Sequence, residues 1–102
     1  MADIEPDRPK HAILYAMLRW TAKRRDERTP LAPDVVVPRG LADTEGPLHA
    51  YGREGVQTRI YRLAELGLVE KVEYHGHTLG YRLTEAGIET IDELGVPGHY
   101  DH

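Results

Sequence analysis

Apolar residues recur along this chain in two rhythms, and the change from one to the other marks its most legible stretch. Val56, Ile60, Leu63 and Leu66 fall on one stripe at helical spacing, with Gln57, Thr58, Arg59, Tyr61, Arg62 and Glu65 on the other side. The spacing predicts a helix ending at Leu66 and beginning between Gly52 and Val56. Gly67 suits the left-handed position after a helix, and Leu68-Val69 opens an extended segment. From Leu68 to Tyr74 the rhythm becomes a partial alternation, with Glu70, Lys71 and Glu73 among Leu68, Val69, Val72 and Tyr74. His75-Gly76-His77 is a compact turn. Thr78–Leu83 then reads as a second strand, with Leu79, Tyr81 and Leu83 on one face and Arg82 on the other. The two strands make a hairpin.

Three further segments flank this unit. From Lys10 to about Arg25, Ile13 or Leu14, Met17, Leu18 and Thr21 recur at helical spacing, with Trp20 at one edge and Pro9 in the first turn. Thr84 caps a last helix, Glu85–Leu94, whose first turns carry acids as the helix dipole prefers. Its expected stripe is Ile88, Ile91 and Leu94, with Ala86 at the edge; Gly95, Pro97 and Gly98 stop it. Thr29–Tyr51 is broken by four prolines and two glycines. Within it Val35–Val37 reads as a short strand, Pro38–Thr44 as one or two helical turns, and Pro47–Tyr51 as a short helix or a loop. The expected organisation is a flexible lead-in over 1–9, one domain over 10–94 and a flexible tail over 95–102.

The 102 residues suffice for one compact core. The chain lacks cysteine, which excludes disulfides, thiolate metal sites and a cysteine nucleophile. No apolar run approaches the length of a membrane span, and Met1–Lys10 does not resemble a signal peptide, so a soluble cytoplasmic protein is expected. The net charge is −4. Glu85, Glu89, Asp92, Glu93 and Asp101 carry five of the negative charges, with no Lys or Arg beyond residue 83, which leaves +1 on the rest of the chain. Arginine outnumbers lysine ten to three, and its planar fork suits phosphate and guanine. A basic face therefore survives the overall acidity.

The string Val56-Gln57-Thr58-Arg59-Ile60-Tyr61-Arg62-Leu63-Ala64-Glu65-Leu66-Gly67-Leu68-Val69 resembles the recognition helix of winged helix-turn-helix regulators, which typically ends in a Leu-x-x-x-Gly-Leu-(Val/Ile) phrase. Gly80-Tyr81-Arg82-Leu83-Thr84-Glu85-Ala86-Gly87 is similar to the wing exit and next helix start of MarR-like, PadR-like and archaeal phage-repressor-like regulators. The likeness spans residues 52–94. It departs from the usual pattern before Tyr51, where Pro38, Gly46-Pro47 and Gly52 interrupt the first helix of the pair. It also shows no long flanking dimerisation helices. The resemblance implies an α+β winged helix: a three-helix core, a small antiparallel β-hairpin wing and a C-terminal helix.

It further implies a homodimeric transcriptional regulator that binds double-stranded DNA. Helix 53–66 would enter the major groove, and the wing around 75–78 would meet the backbone or minor groove. Val56, Ile60 and Leu63 would point inward, leaving Arg53, Gln57, Thr58, Arg59 and Arg62 to face the groove. Arginine complements guanine, glutamine adenine, and a threonine methyl the thymine methyl. Tyr61 is a phosphate contact or a half-buried flank of the core. Glu65 would repel phosphate unless paired, for instance with Arg62. On the wing the candidates are Lys71, His75, His77, Thr78 and Arg82. Histidines at the tip either belong to a solvated turn and contribute nothing, the reading with more weight, or strengthen the anchor below the usual histidine pKa of about 6.5. The run Lys23-Arg24-Arg25 is a solvated helix end or a phosphate contact.

Other chemistries have less to stand on. His75 and His77 with Glu73 have the ligand types of a transition-metal site but lack a third histidine at a defined spacing, so no metal or cofactor is expected. There is no serine, no phosphate-cradling glycine loop and no His-Glu-x-x-His helix, so no enzyme is expected. The competing reading is a winged-helix protein–protein interaction module without DNA binding.

Overall fold

A computed structural model of the chain describes residues 8–26 and 35–98. These residues form an α+β globule with four α-helices and one two-stranded antiparallel hairpin. The side chains of Lys23, Arg24 and Arg25, the lead-in up to residue 7, and His99 and His102 lie outside the described residues. Among the described residues, no helix is long and apolar enough to cross a membrane.

Helix α1, Pro9–Asp26, lies at the centre. Ala12, Ile13, Leu14, Ala16 and Met17 are fully buried, and His11 and Thr21 nearly so. Ile13 and Leu14 both point inward, so the buried face is wider than a single stripe, as in a helix enclosed on most sides. Tyr15, Leu18 and Trp20 pack at its margins. The helix contacts the other three helices and the hairpin. Near its start the His11 Nε2–H donates to the Gly95 carbonyl, 2.9 Å away. Pro97 is buried as well, so the tail expected to be flexible from Gly95 is docked at its beginning.

Helix α2, Pro38–Thr44, starts on a proline, which lacks only a donor that the first turn would leave unpaired. Immediately before it, the expected strand at Val35–Val37 contracts to a single bridge. Val36 N–H donates to Tyr81 O at 2.6 Å, and Tyr81 N–H donates to Val36 O at 2.8 Å. Pro38 turns the chain into the helix before a second pair can form. Pro47–Tyr51, open between a helix and a loop, belongs to a 3-10 helix, Gly46–Tyr51, that buries Leu48. Glu45, at the junction, is buried with Arg19 Nε 3.7 Å from its carboxylate.

Helix α3, Gly52–Glu65, packs against α1 and α2 through Val56, Ile60 and Leu63. Leu66 does not continue that stripe. It caps the helix and is 37 % exposed. Gly67 N–H donates to Ala64 O and Leu68 N–H to Leu63 O, the paired bonds of a Schellman ending. That ending throws the chain back, and Leu68 occupies the core in place of Leu66.

Strands β1, Val69–Tyr74, and β2, His77–Leu83, pair from Val69↔Leu83 to Tyr74↔His77. His75 and Gly76 form the two-residue turn, both at positive φ as a primed hairpin turn requires. A bulge shifts the register: Val72 faces Gly80 while Glu73 faces Thr78, which leaves Leu79 as the extra residue. The expected single face of Leu79, Tyr81 and Leu83 is therefore wrong for Leu79, which is 43 % exposed while Tyr81 is buried.

Helix α4, Glu85–Leu94, begins as expected: Thr84 Oγ1 accepts from Gly87 N–H at 3.1 Å and donates to Gly67 O at 2.7 Å. Its buried face differs. Gly87, Thr90 and Ile91 are buried, whereas Ala86 and Ile88 are exposed. Gly87 lies so close to the Leu68 carbonyl that a Cβ would be 2.1 Å from its oxygen. That approach fixes the rotation of α4 and carries Ile88 round to the outside. Thr90 is tolerated inside because its hydroxyl donates to Ala86 O.

Candidate functional site

The outer side of α3 and the hairpin enclose a groove of about 490 Å³. Gln57 and Tyr61, one helical turn apart, line it from α3. Lys71, Thr78 and Leu79 line it from the hairpin, and Val37 and Pro38 close one end. The groove exists because Gly67 folds β1 back beside the helix it has just left. The bulge adds to it by turning Leu79 outward.

Polar groups inside it are linked. Gln57 Nε2 donates to Tyr61 Oη, and the Tyr61 ring sits 6.0 Å from the Tyr81 ring at 53°. Burial, with Tyr61 adjacent, holds the Tyr81 phenol above its ordinary pKa and keeps it protonated. Lys71 Nζ lies 2.8 Å from Glu73 Oε1 on the same strand face. The hydrogen bond to that carboxylate, then its charge, raises the lysine pKa, so the ammonium persists.

The remaining candidates on α3 are dispersed. Thr58 is exposed on the outward side. Arg59 lies two residues from Gln57, about 200° round the helix, and so occupies the other flank. Its Nη1 donates to Gly55 O at 3.1 Å, and its guanidinium carbon is 5.3 Å from the Tyr51 ring centre. Arg53 grips Asp43 of α2 with two bonds of 3.0 and 2.8 Å, at the edge of a second hollow that His49 also lines. The Arg53 hydrogen bond holds the Asp43 carboxyl below its ordinary range, and the same bond raises the Arg53 pKa. Arg62 pairs with Glu65 at 3.3 Å, the partner anticipated from their spacing.

On the hairpin, Arg82 pairs across the strands with Glu70. His75, His77 and Thr78 are exposed at or beside the turn, and the His75 ring stands edge-on to Tyr74 with centroids 4.1 Å apart. Among the described residues, no three histidine, aspartate or glutamate side chains gather as a metal site.

Of the ten candidates, then, the groove unites Gln57, Lys71 and Thr78. Arg53, Thr58, Arg59, Arg62 and Arg82 lie outside it, and His75 and His77 stand at the turn. Sequence reasoning left Tyr61 undecided and did not single out Asp43, Glu70 or Leu79. The four-residue step from Gln57 to Tyr61 was a usable signal. Asp43 and Glu70 gave none, because each meets its arginine through tertiary contact or strand register. No family model matches this chain, and no curated protein and no solved structure matches it either.

Proposed function

We propose that this chain is a winged helix-turn-helix protein that binds double-stranded DNA and serves as a small cytoplasmic transcriptional regulator. The observation that carries the reading is the common groove of α3 and the hairpin. A helix with a polar outer side next to a projecting hairpin can place the helix in a major groove while the hairpin straddles the adjoining backbone. Lys71 and Thr78 would meet phosphate there, and Gln57, Thr58 and Arg62 would supply contacts from the helix. The α2–3-10–α3 sequence would supply the helix-turn-helix, with the six-residue 3-10 helix Gly46–Tyr51 in place of a short turn. A homodimer on a two-fold symmetric site is the expected stoichiometry.

Titration against random duplex DNA at low and moderate salt tests this reading. Affinity is expected to fall steeply with salt, at a logarithmic slope of about 0.9 per phosphate contact. No binding at low salt overturns it.

One observation favours a second reading, a protein-interaction module on the same face. Arg53, Arg62, Lys71 and Arg82 each have a carboxylate partner, so the face presents mixed rather than positive charge. Such exposed pairs are weak and salt-sensitive, and a phosphate can replace the carboxylate at small cost. This is why DNA remains the first reading. Binding to DNA that is unaffected by charge reversal at Arg62 and Lys71 would move the interface away from this groove.

A further inference from the structure

The edge of β1 that faces away from β2 carries a self-complementary pattern. Tyr81 exchanges two backbone hydrogen bonds with Val36, on the side of β2 away from β1, and its partner across the hairpin is Lys71. Lys71 and Tyr81 are therefore a pair without mutual hydrogen bonds, and the Lys71 N–H and C=O point outward from the sheet edge. By strand alternation those of Val69 and Glu73 point the same way. Among the described residues, no strand pairs with this edge. It is accessible over 70–74, where Glu70, Lys71, Glu73 and Tyr74 are exposed and Val72 is half-buried. Tyr74, at 63 %, is the most exposed large hydrophobic residue among those described.

Two copies of this edge, related by a two-fold axis, can pair antiparallel only where outward-pointing residues face each other. A slide of one residue breaks that match. Of the registers left, centring the pair on Val72 sets Lys71 opposite the partner's Glu73 and Glu73 opposite the partner's Lys71. Each of these pairs would exchange two backbone hydrogen bonds. The four side chains would share one face with unlike charges alternating around a square, since Lys71 Nζ already lies 2.8 Å from its own Glu73. Sliding two residues either way instead sets Lys71 against the partner's Lys71, or Glu73 against the partner's Glu73, which is destabilising. On the opposite face Val72 would meet the partner's Val72, with Tyr74 of each copy on the diagonal.

We infer that β1 is the self-association edge of this protein, and that two copies join there in the Val72-centred register as one four-stranded sheet. The contact is short, below the roughly 800 Å² per partner of a standard stable interface, so the dimer is a weak one. It is independent of the DNA reading, which expects two copies but assigns no contact between them.

The full chain without DNA provides the test, and the absence of cysteine makes a single introduced thiol specific. In this register the two Val72 Cα atoms are about 4.5 Å apart, within disulfide reach. The two Glu70 positions are four residues out of step, roughly 13 Å. Val72→Cys is therefore expected to form a covalent dimer under mild oxidation, and Glu70→Cys to stay monomeric. In sedimentation at rising concentration, wild type is expected to dimerise weakly. Lys71→Glu weakens that association at least about 5-fold, because each Lys–Glu pair becomes Glu–Glu. Lys71→Glu combined with Glu73→Lys restores it, which loss of a surface charge alone would not do. Thermal melts check the fold of each variant, and if one arm loses its fold the other decides alone. The inference is overturned if Val72→Cys cross-links no more than Glu70→Cys, if Lys71→Glu associates as wild type does, or if the exchanged pair fails to restore association. A wild type that is monomeric at every concentration also overturns it and leaves the DNA reading untouched.

Discussion

Helices α1 and α3 are buried in contrasting ways. α1 is enclosed on most of its circumference, with polar His11 and Thr21 inside alongside Ile13, Leu14 and Met17. α3 commits three residues, Val56, Ile60 and Leu63, and leaves most of its surface in solvent. The one-sided helix is the easier to read in a sequence, yet the less clearly patterned helix is the one around which the others assemble. Weak one-sidedness in a helix that is not charged throughout is a sign of centrality. Strong one-sidedness marks a helix at the periphery, whose other side is free to act.

The sharpest way to break this contrast is truncation. Leu14→Ala in α1 is expected to cost about 2–5 kcal/mol, through lost burial and the cavity left behind. Thr58→Ala on the outer side of α3 should stay within about 0.5 kcal/mol of wild type. Urea unfolding measures both, and equal losses would contradict the assignment of scaffold and display. Next in size is Gly87→Ala, where the added methyl meets the Leu68 carbonyl. Forcing that contact apart is expected to cost about 1–3 kcal/mol and to shift α4. A variant as stable as wild type would mean that α4 does not rest on that carbonyl.

On the display side the expected effects are functional. Lys71→Ala should reduce random-duplex affinity and lower the salt slope by about 0.9, with melting temperature unchanged. An unaltered slope would remove Lys71 from the phosphate contacts. A subtler difference concerns Asp43, held below the ordinary carboxylate range by Arg53. Its ionised form stabilises the fold fully above the unfolded value of about 3.9, and that contribution is lost as pH falls through the lower folded value. Melting curves of Asp43→Asn and wild type should therefore differ by a constant small amount near neutrality and converge in acid. A gap that widens in acid would mean that the pair does not link α2 to α3 in solution. Smallest is the turn: replacing His75 and His77 together by alanine should lower DNA affinity modestly and leave the melting temperature unchanged, since both are exposed at the hairpin tip. An unchanged affinity excludes the turn from the contact.

Much of the fold is written in local pattern. The positions of α3, the glycine that ends it, the hairpin turn and the Thr84 cap all follow from residues within a few places of one another. Capping, turn geometry and helical spacing are short-range effects, so a single sequence carries them. Three features required the tertiary structure. Leu79 faces out because of a bulge, Ile88 faces out because Gly87 approaches Leu68, and Val35–Val37 supplies one bridge because Pro38 ends it. Each depends on where a distant backbone segment comes to rest. The same division runs through the candidate site. Residue types along 53–62 nominate the polar side of α3 by themselves, and Arg62 with Glu65 is a pair that helical spacing foretells. That Arg53 is held by Asp43 and Arg82 by Glu70 was decided by packing, because these contacts join residues on different elements and follow no local sequence pattern.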